Sequence, residues 1–260
     1  MICVMQETEN HTNNFRQLKP IKKLEDFIHL FWTHRNPSNQ PEHMTVVPDG
    51  YAKIIFFVEN GEITRYFMAG LFIHEINYTI PPGATLYGCK LKILAPEYLI
   101  NQEMASILQN LKQLELSYLN LKYFDLSSFE IIVQQWQAEL LKIKSPKEIP
   151  GNKLRLSQLL EKIRGELTAK EVSEQIYWTN KQINRYMNKY LGVSLKKYLN
   201  IQKVCYSYNQ IMEGDLYPEN FYFDQAHFIR EIKKHTGSTP KTLNQEQDQR
   251  FIQIKRMTKG

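Results

Sequence analysis

At 260 residues, 42% apolar and 23% charged, the chain has the composition of a soluble globular protein and the length for two domains, each with its own core. Its net charge of +6 is unevenly placed. Residues 1–150 hold 14 Lys and Arg against 16 Asp and Glu, and residues 151–260 hold 19 against 11, so the second part suits nucleic acid or another anionic surface. Three scattered cysteines, Cys3, Cys89 and Cys205, exclude a disulfide framework and a Cys-x-x-Cys metal site; without a basic-then-apolar leader or a long apolar run, the expectation is a cytoplasmic protein with no membrane partner.

The first dozen residues are polar and predict a loose start. Leu24, Phe27, Ile28, Phe31 and Trp32 then recur at a spacing that fits a helix or a strand edge within 18–32. From Met44 the pattern turns to β: aromatic and β-branched runs are broken at Pro48-Asp49-Gly50 and at Asn60-Gly61, the second a hairpin signal. Further strands are expected over 73–80 and 86–94, separated by Pro81-Pro82-Gly83. Five or more short strands with tight turns predict a small sheet or partial barrel, either hollow around a small ligand or filled and used for self-association. His29, His34, His43 and His74 are scattered with no His-x-His pair, so neither a metal nor another cofactor is expected. No carboxylate pair, Ser–His–Asp set or Gly-rich phosphate loop stands out, and the chain does not read as an enzyme.

Over 96–143 the period becomes helical. Leu99, Met104, Ile107, Leu108, Leu111, Leu114, Leu116 and Leu119 predict one helical stretch over 98–121, and Phe129, Ile132, Val133, Trp136 and Leu140 predict a second over 129–141; they pack on the sheet or on a second subunit. The polar 144–152 segment, with two prolines and a glycine, is the expected linker. The division is therefore a β-rich sensor-like or dimerisation domain with helices at 1–143, the linker, a helical DNA-binding domain at 153–245, and a flexible basic tail at 246–260.

Beyond the linker, Leu154–Ile163 predicts a short helix, and Thr168 with Glu171 opens another with Val172 and Ile176 as its buried stripe. Thr179 and Gln182 form the next capping box. From there the chain writes one pattern twice: TNKQINRYMNKYLGVSLKKY from Thr179 aligns without gaps on DQAHFIREIKKHTGSTPKTL from Asp224. In the first copy Ile183, Tyr186, Met187, Tyr190 and Leu191 share one face; Lys181, Arg185 and Asn188 point the other way, flanked by Gln182, Asn184 and Lys189. In the second, Phe228, Ile232 and His235 face inward and His227, Arg230, Lys233 and Lys234 outward. Gly192 and Gly237 are helix stops. A long helix over 194–212, with Leu195, Tyr198, Leu199, Cys205, Tyr208 and Met212 as its inner face, spans roughly 28 Å between them at about 1.5 Å per residue, near the 34 Å repeat of B-DNA. Two short helices joined by a few residues are a helix-turn-helix signature, and Arg185 is suited to bidentate pairing with guanine.

The stretches VSEQIYWTNKQINRYMNKYLGVSLKKYL and YFDQAHFIREIKKHTGSTPKTL resemble the DNA-binding part of AraC-type transcriptional regulators. VVPDGYAKIIFF and LYGCKLKI are similar to the small β-rich domain that precedes the reader in some of them. The resemblance implies an α+β chain: a β-rich sheet or partial barrel with packed helices, then an all-α domain of two helix-turn-helix units joined by a long helix. It implies a regulator of transcription that binds double-stranded DNA, often as a homodimer and often answering to a small-molecule effector. Recognition helices at 179–191 and 224–235 would lie in adjacent major grooves. By position the DNA-binding residues are Asn180, Lys181, Gln182, Asn184 and Arg185 in the first and Gln225, His227, Arg230 and Lys233 in the second, with Lys189 and Lys234 extending the two basic faces. The chain departs from the pattern at Tyr177-Trp178, where the family often has glycine, and at Asp215–Tyr222, where Pro218 and a shortened interval replace most of a helix and leave the second unit incomplete. Rival readings are a DNA-repair alkyl transferase with an AraC-like reader, which needs an activated cysteine, and a DNA-bound scaffold with no ligand.

Overall fold

The computed structural model describes residues 14–216, 222 and 224–245; the basic tail expected at 246–260 lies outside them. The first part is antiparallel β. Strands β1 (Phe15–Leu18), β2 (Ile28–Arg35), β4 (Ala52–Glu59), β5 (Glu62–Ala69), β7 (Thr85–Leu91) and β8 (Leu111–Gln113) form a six-stranded sheet in the order β1-β2-β7-β4-β5-β8, and β3 (Glu42–Val46) pairs with β6 (Ile76–Ile80) in a second, two-stranded sheet. Asn60 and Gly61 both take positive φ, 53° and 80°, which gives the β4–β5 hairpin a turn matched to the strand twist. Trp32, Phe57 and Leu86 of the large sheet bury themselves with Met44 and Ile80 of the small one, so the two-stranded sheet covers one face. Close packing there needs a glycine: a Cβ at Gly88, paired with Trp32 across β7 and β2, would lie 2.1 Å from the indole. On the other face lies α2 (Phe129–Ile143), whose buried Trp136 meets Phe31 and Phe56 at ring separations of 5.6 and 5.1 Å.

Residues 18–32, open between helix and strand edge from sequence, run from the last residue of β1 through one 3₁₀ turn at Lys22–Leu24 into β2. The helix expected over 98–121 does not form. Only α1 (Ala95–Tyr98), single turns at Ala105–Ile107 and Tyr118–Tyr123, and β8 are regular there. Asn101, Gln109, Leu119 and Asn120 have left-handed backbone, which interrupts any helical ladder. Leu99, Met104, Ile107 and Leu121 are buried from irregular backbone, while Leu111 and Leu116 are exposed, so their spacing was never one helical face.

Past the 144–150 segment come α3 (Gly151–Ile163), α4 (Ala169–Ile176), α5 (Asn180–Leu191), α6 (Leu195–Met212), α7 (Gln225–Thr236) and α8 (Pro240–Gln245). Among the described residues of the 213–224 interval none is helical. The molecule is thus α+β, with the sheets first and the helices after. Among the described residues the two parts do not close separate cores. One cluster of buried side chains runs from Leu18 through Trp136, Leu160 and Ile183 to Leu199, and α7 and α8 have a smaller cluster of their own with Val204, Tyr208 and Ile211 of α6. Even that cluster includes Val47, from the loop before β4.

Candidate nucleic-acid interface

The first unit is built from two capped helices. Thr168 accepts from the Glu171 N–H while Glu171 accepts from the Thr168 N–H, and Val172 and Ile176 anchor α4. Tyr177 ends α4 in left-handed backbone, φ 55°, and the Trp178 N–H closes the turn on the Ser173 carbonyl at 3.2 Å. Thr179 and Gln182 then form the second capping box, opening α5. Ile183, Tyr186, Met187 and Leu191 are buried; Asn180, Lys181, Gln182, Arg185, Asn188 and Lys189 are exposed. Gly192, φ 78°, stops the helix.

Ser194 caps α6, which buries Leu195, Tyr198, Leu199, Ile201, Val204, Tyr208 and Ile211. Cys205 and Met212, expected on the inner face, are only partly buried, because Ile201, Val204 and Ile211 occupy its centre. Asp224 caps α7 through the His227 N–H at 2.6 Å, Phe228, Ile232 and His235 are buried, and Gly237, φ 71°, ends it. Gln225, Arg230, Lys233 and Lys234 are exposed.

Two candidate residues sit differently from the outward placement expected of them. Asn184 is half-buried: its Oδ1 accepts from the Leu195 N–H at 2.8 Å, and its Nδ2 donates to Asn180 Oδ1 at 2.9 Å, so it ties α5 to the start of α6. His227 is half-buried, with its ring edge-on to Tyr222 at 5.6 Å. Two lysines have acidic neighbours: Lys189 lies 3.3 Å from Glu103 and Lys234 lies 3.5 Å from Glu231.

Sequence spacing gave no sign of how these helices are held. Tyr186 donates its hydroxyl to the Ile93 carbonyl at 3.2 Å, and Lys153 of α3 reaches Glu97 at 2.6 Å, so the first unit docks on the end of the sheet. The second unit docks on 71–75. The His235 imidazole, donating from Nδ1, bonds the Ile73 carbonyl at 2.8 Å; His74 donates to the Lys234 carbonyl at 3.2 Å. Burial holds the His235 imidazole below its ordinary pKa, against the opposing pull of the Ile73 carbonyl and Glu231. Between them, the 47–51 loop meets α6 and α3. The Cys205 thiol donates to the Pro48 carbonyl at 2.9 Å, and Asp49 accepts from Lys53 at 2.7 Å and pairs with Lys90 at 2.8 Å. Glu161 of α3 takes His29 at 3.1 Å, the Tyr51 hydroxyl at 3.2 Å and Lys92 at 3.6 Å. Lysines inside the apolar strands β4 and β7 were the available signal that a buried carboxylate must face them.

Between the two sheets lies a cavity of about 230 Å³, walled by Trp32, Ile55, Phe57, Phe67, Phe72 and Tyr78. The space between the two sheets is therefore not completely filled. Among the described residues no group of three or more His, Cys, Asp or Glu side chains is placed to hold a metal ion, and no helix is long and apolar enough to cross a membrane.

These elements define an α+β chain whose helical part presents two capped, basic-faced helices at the ends of one long helix. Residues 16–111 match a family model described as a domain of unknown function, DUF6597. No curated protein matches the chain. Among solved structures it is similar to ToxT from Vibrio cholerae: an apo variant is 10% identical with a TM-score of 0.42, covering 82% of this chain and 96% of that one. The form bound to an unsaturated fatty acid is 8% identical, TM-score 0.40, covering 91% and 97%, and that bound to (E)-4-(8-methylnaphthalen-1-yl)but-3-enoic acid is 12% identical, TM-score 0.41, covering 92% and 98%.

Proposed function

We propose that the chain is a sequence-specific, DNA-binding transcriptional regulator of the AraC type, with α5 and α7 as its recognition helices. The observation that carries this reading is the repeated design. Both helices open on a side-chain cap, bury an apolar stripe and stop at a left-handed glycine, and both leave arginine and lysine in solvent. They flank α6, whose 18 residues span about 27 Å, the order of one turn of B-DNA. Arg185 and Arg230 read base edges, while Lys181 and Lys233 hold phosphates. Asn184, committed to α6, orients the helix. Pro218 and the short interval before α7 suit a second unit that mainly positions the chain on phosphates, with Arg230 as its base contact.

The test is binding to a duplex selected by the chain from a random-sequence pool. Arg185→Ala should relax discrimination at one position by about 1–3 kcal/mol, and Lys181→Ala should weaken binding on all sequences and lower the salt dependence by about one phosphate contact. Unchanged affinity and unchanged preference in both Arg185→Ala and Arg230→Ala would remove the assignment.

The cavity supports an effector-responsive regulator over a ligand-free scaffold. Its aromatic walls suit a small, largely apolar molecule, and ligand-dependent thermal shifts, lost when Phe67→Trp fills the space, would show it. Two chains pairing as a homodimer would present two readers to one duplex, which sedimentation with and without DNA measures. Alkyl transfer is disfavoured by the described thiols. Cys89 is fully buried and Cys205 is bonded to Pro48, and burial pushes both well above the ordinary thiol pKa, away from a reactive thiolate.

A further inference from the structure

Tyr177 is the most exposed large apolar side chain described, at 89%, and it stands where a side chain is least welcome. It closes α4 at φ 55°, ψ 41°, a left-handed conformation that glycine takes freely and an L-residue only against its own Cβ. No packing offsets that strain, since the ring lies in solvent and has no described hydrogen-bond or ring partner. Its neighbour shows the contrast: Trp178 packs on Tyr186 with ring centroids 5.7 Å apart and serves the fold. The fold therefore gains nothing from tyrosine at 177, and an unrewarded strained aromatic points to something outside the chain.

Its position selects the partner. Tyr177 stands two residues before Thr179, the cap of α5. A recognition helix enters the major groove by its N-terminal end, so a side chain just ahead of the cap stands at the rim of the groove, level with the sugar-phosphate backbone. A phenol there has one neutral donor for a phosphate oxygen and a flat apolar face for deoxyribose, and neither distinguishes one base pair from another. We propose that Tyr177 is a DNA-backbone contact of the first reader, its hydroxyl donating to a phosphate and its ring resting on the adjoining sugar. The proposal rests on the DNA-binding reading above and extends it to a residue outside the repeated pattern.

The test compares the full-length chain with Tyr177→Gly and Tyr177→Phe on the selected duplex and on an unrelated one, with urea unfolding of each protein. Tyr177→Gly removes the strain and should raise the folding equilibrium constant about fivefold, while weakening binding to both duplexes by about tenfold. Because the lost contact is uncharged, the salt dependence should stay at the wild-type slope. Tyr177→Phe keeps the ring and should fall between the two proteins in affinity. Tyr177→Gly binding as tightly as wild type would overturn the proposal and leave the DNA-binding reading intact, as would a loss confined to the selected duplex. Wild-type chain that binds no duplex would sink both. A Tyr177→Gly protein less stable than wild type would show that the ring serves the fold, and would also overturn it.

Discussion

Asp49 is the residue on which the joint between sheets and helices turns. Its side chain is 8% exposed, between Lys53 and Lys90, in the loop whose neighbouring carbonyl holds Cys205 of α6. Burial alone would raise this carboxyl, but the two ammonium groups overcome burial and hold it well below the ordinary carboxylate range. A depressed folded-state pKa contributes stability that is full above the unfolded value near 4 and is lost as pH falls below it. Urea midpoints should therefore fall steadily below about pH 4 in the wild type and show a weaker acid slope in Asp49→Asn. At pH 7 Asp49→Asn leaves two buried ammonium groups without their counter-charge and should cost about 3–5 kcal/mol; a loss below about 1 kcal/mol, as at exposed pairs, would show that water already reaches the group. Sequence alone read Pro48-Asp49-Gly50 as a break between strands, which it is: β3 ends at Val46 and β4 starts at Ala52. The carboxylate's second task depends on β7 lying beside β4, and sequence order does not reveal that pairing.

At the scale of elements, legibility follows locality. The α5 boundaries, its caps and its buried face could be read because cap, stripe and stop all lie within fourteen residues of chain. Thr179→Ala should accordingly lower stability by about 1 kcal/mol, measured by urea unfolding. The 98–121 segment could not be read the same way. Its leucines have helical spacing, but they are anchored one at a time against the sheet and the helices, and four left-handed residues turn the backbone between anchors. The docking of α7 on 71–75 was equally hidden, since His235 looks like any inward helix residue until the Ile73 carbonyl is beside it. That dock should answer to pH. Buried neutral His235 has a lowered folded-state pKa, so its contribution is present above the unfolded value near 6.5 and is lost as pH falls through that region. The groups facing it are the Ile73 carbonyl, Glu231, Lys234 and His74; the carbonyl and Glu231 oppose the shift, and Lys234 and His74 favour it. Amide protection across 225–236, taken relative to the intrinsic exchange rate at each pH, should fall between about pH 6.5 and 5 while protection in α5 holds steady. Protection in α7 that is flat across this range would place the histidine outside the linkage. Gly237→Ala should loosen the same dock at neutral pH, since the new Cβ would meet Glu75 Oε1 at 2.6 Å at a φ of +71°.

At the scale of the whole molecule, the division at 144–152 marks a change from sheet to helices without a break in packing. Leu156 and Leu160 of α3, Ile176 of α4 and Ile183 and Met187 of α5 lie in one cluster with Phe31, Ile54 and Trp136. Buried side chains that share neighbours lose their stabilisation together, so α3, α4, α5 and the sheet should unfold in a single urea transition. The smaller cluster around Phe228, Ile232 and Leu243, with less apolar area and a joint that depends on His74 and His235, should open first. Excising residues 153–245 tests this directly. The fragment loses the Ile93 carbonyl that Tyr186 donates to, the Ala105 backbone packed on Gly192 and the Glu97 partner of Lys153. It should unfold at a clearly lower urea concentration than α3–α5 do in the full chain, and bind the selected duplex more weakly because part of the binding energy must order the first reader. A fragment with the full chain's midpoint and affinity would mean that the helical part closes a sufficient core alone, and that the sheet lends it no stability through the shared cluster.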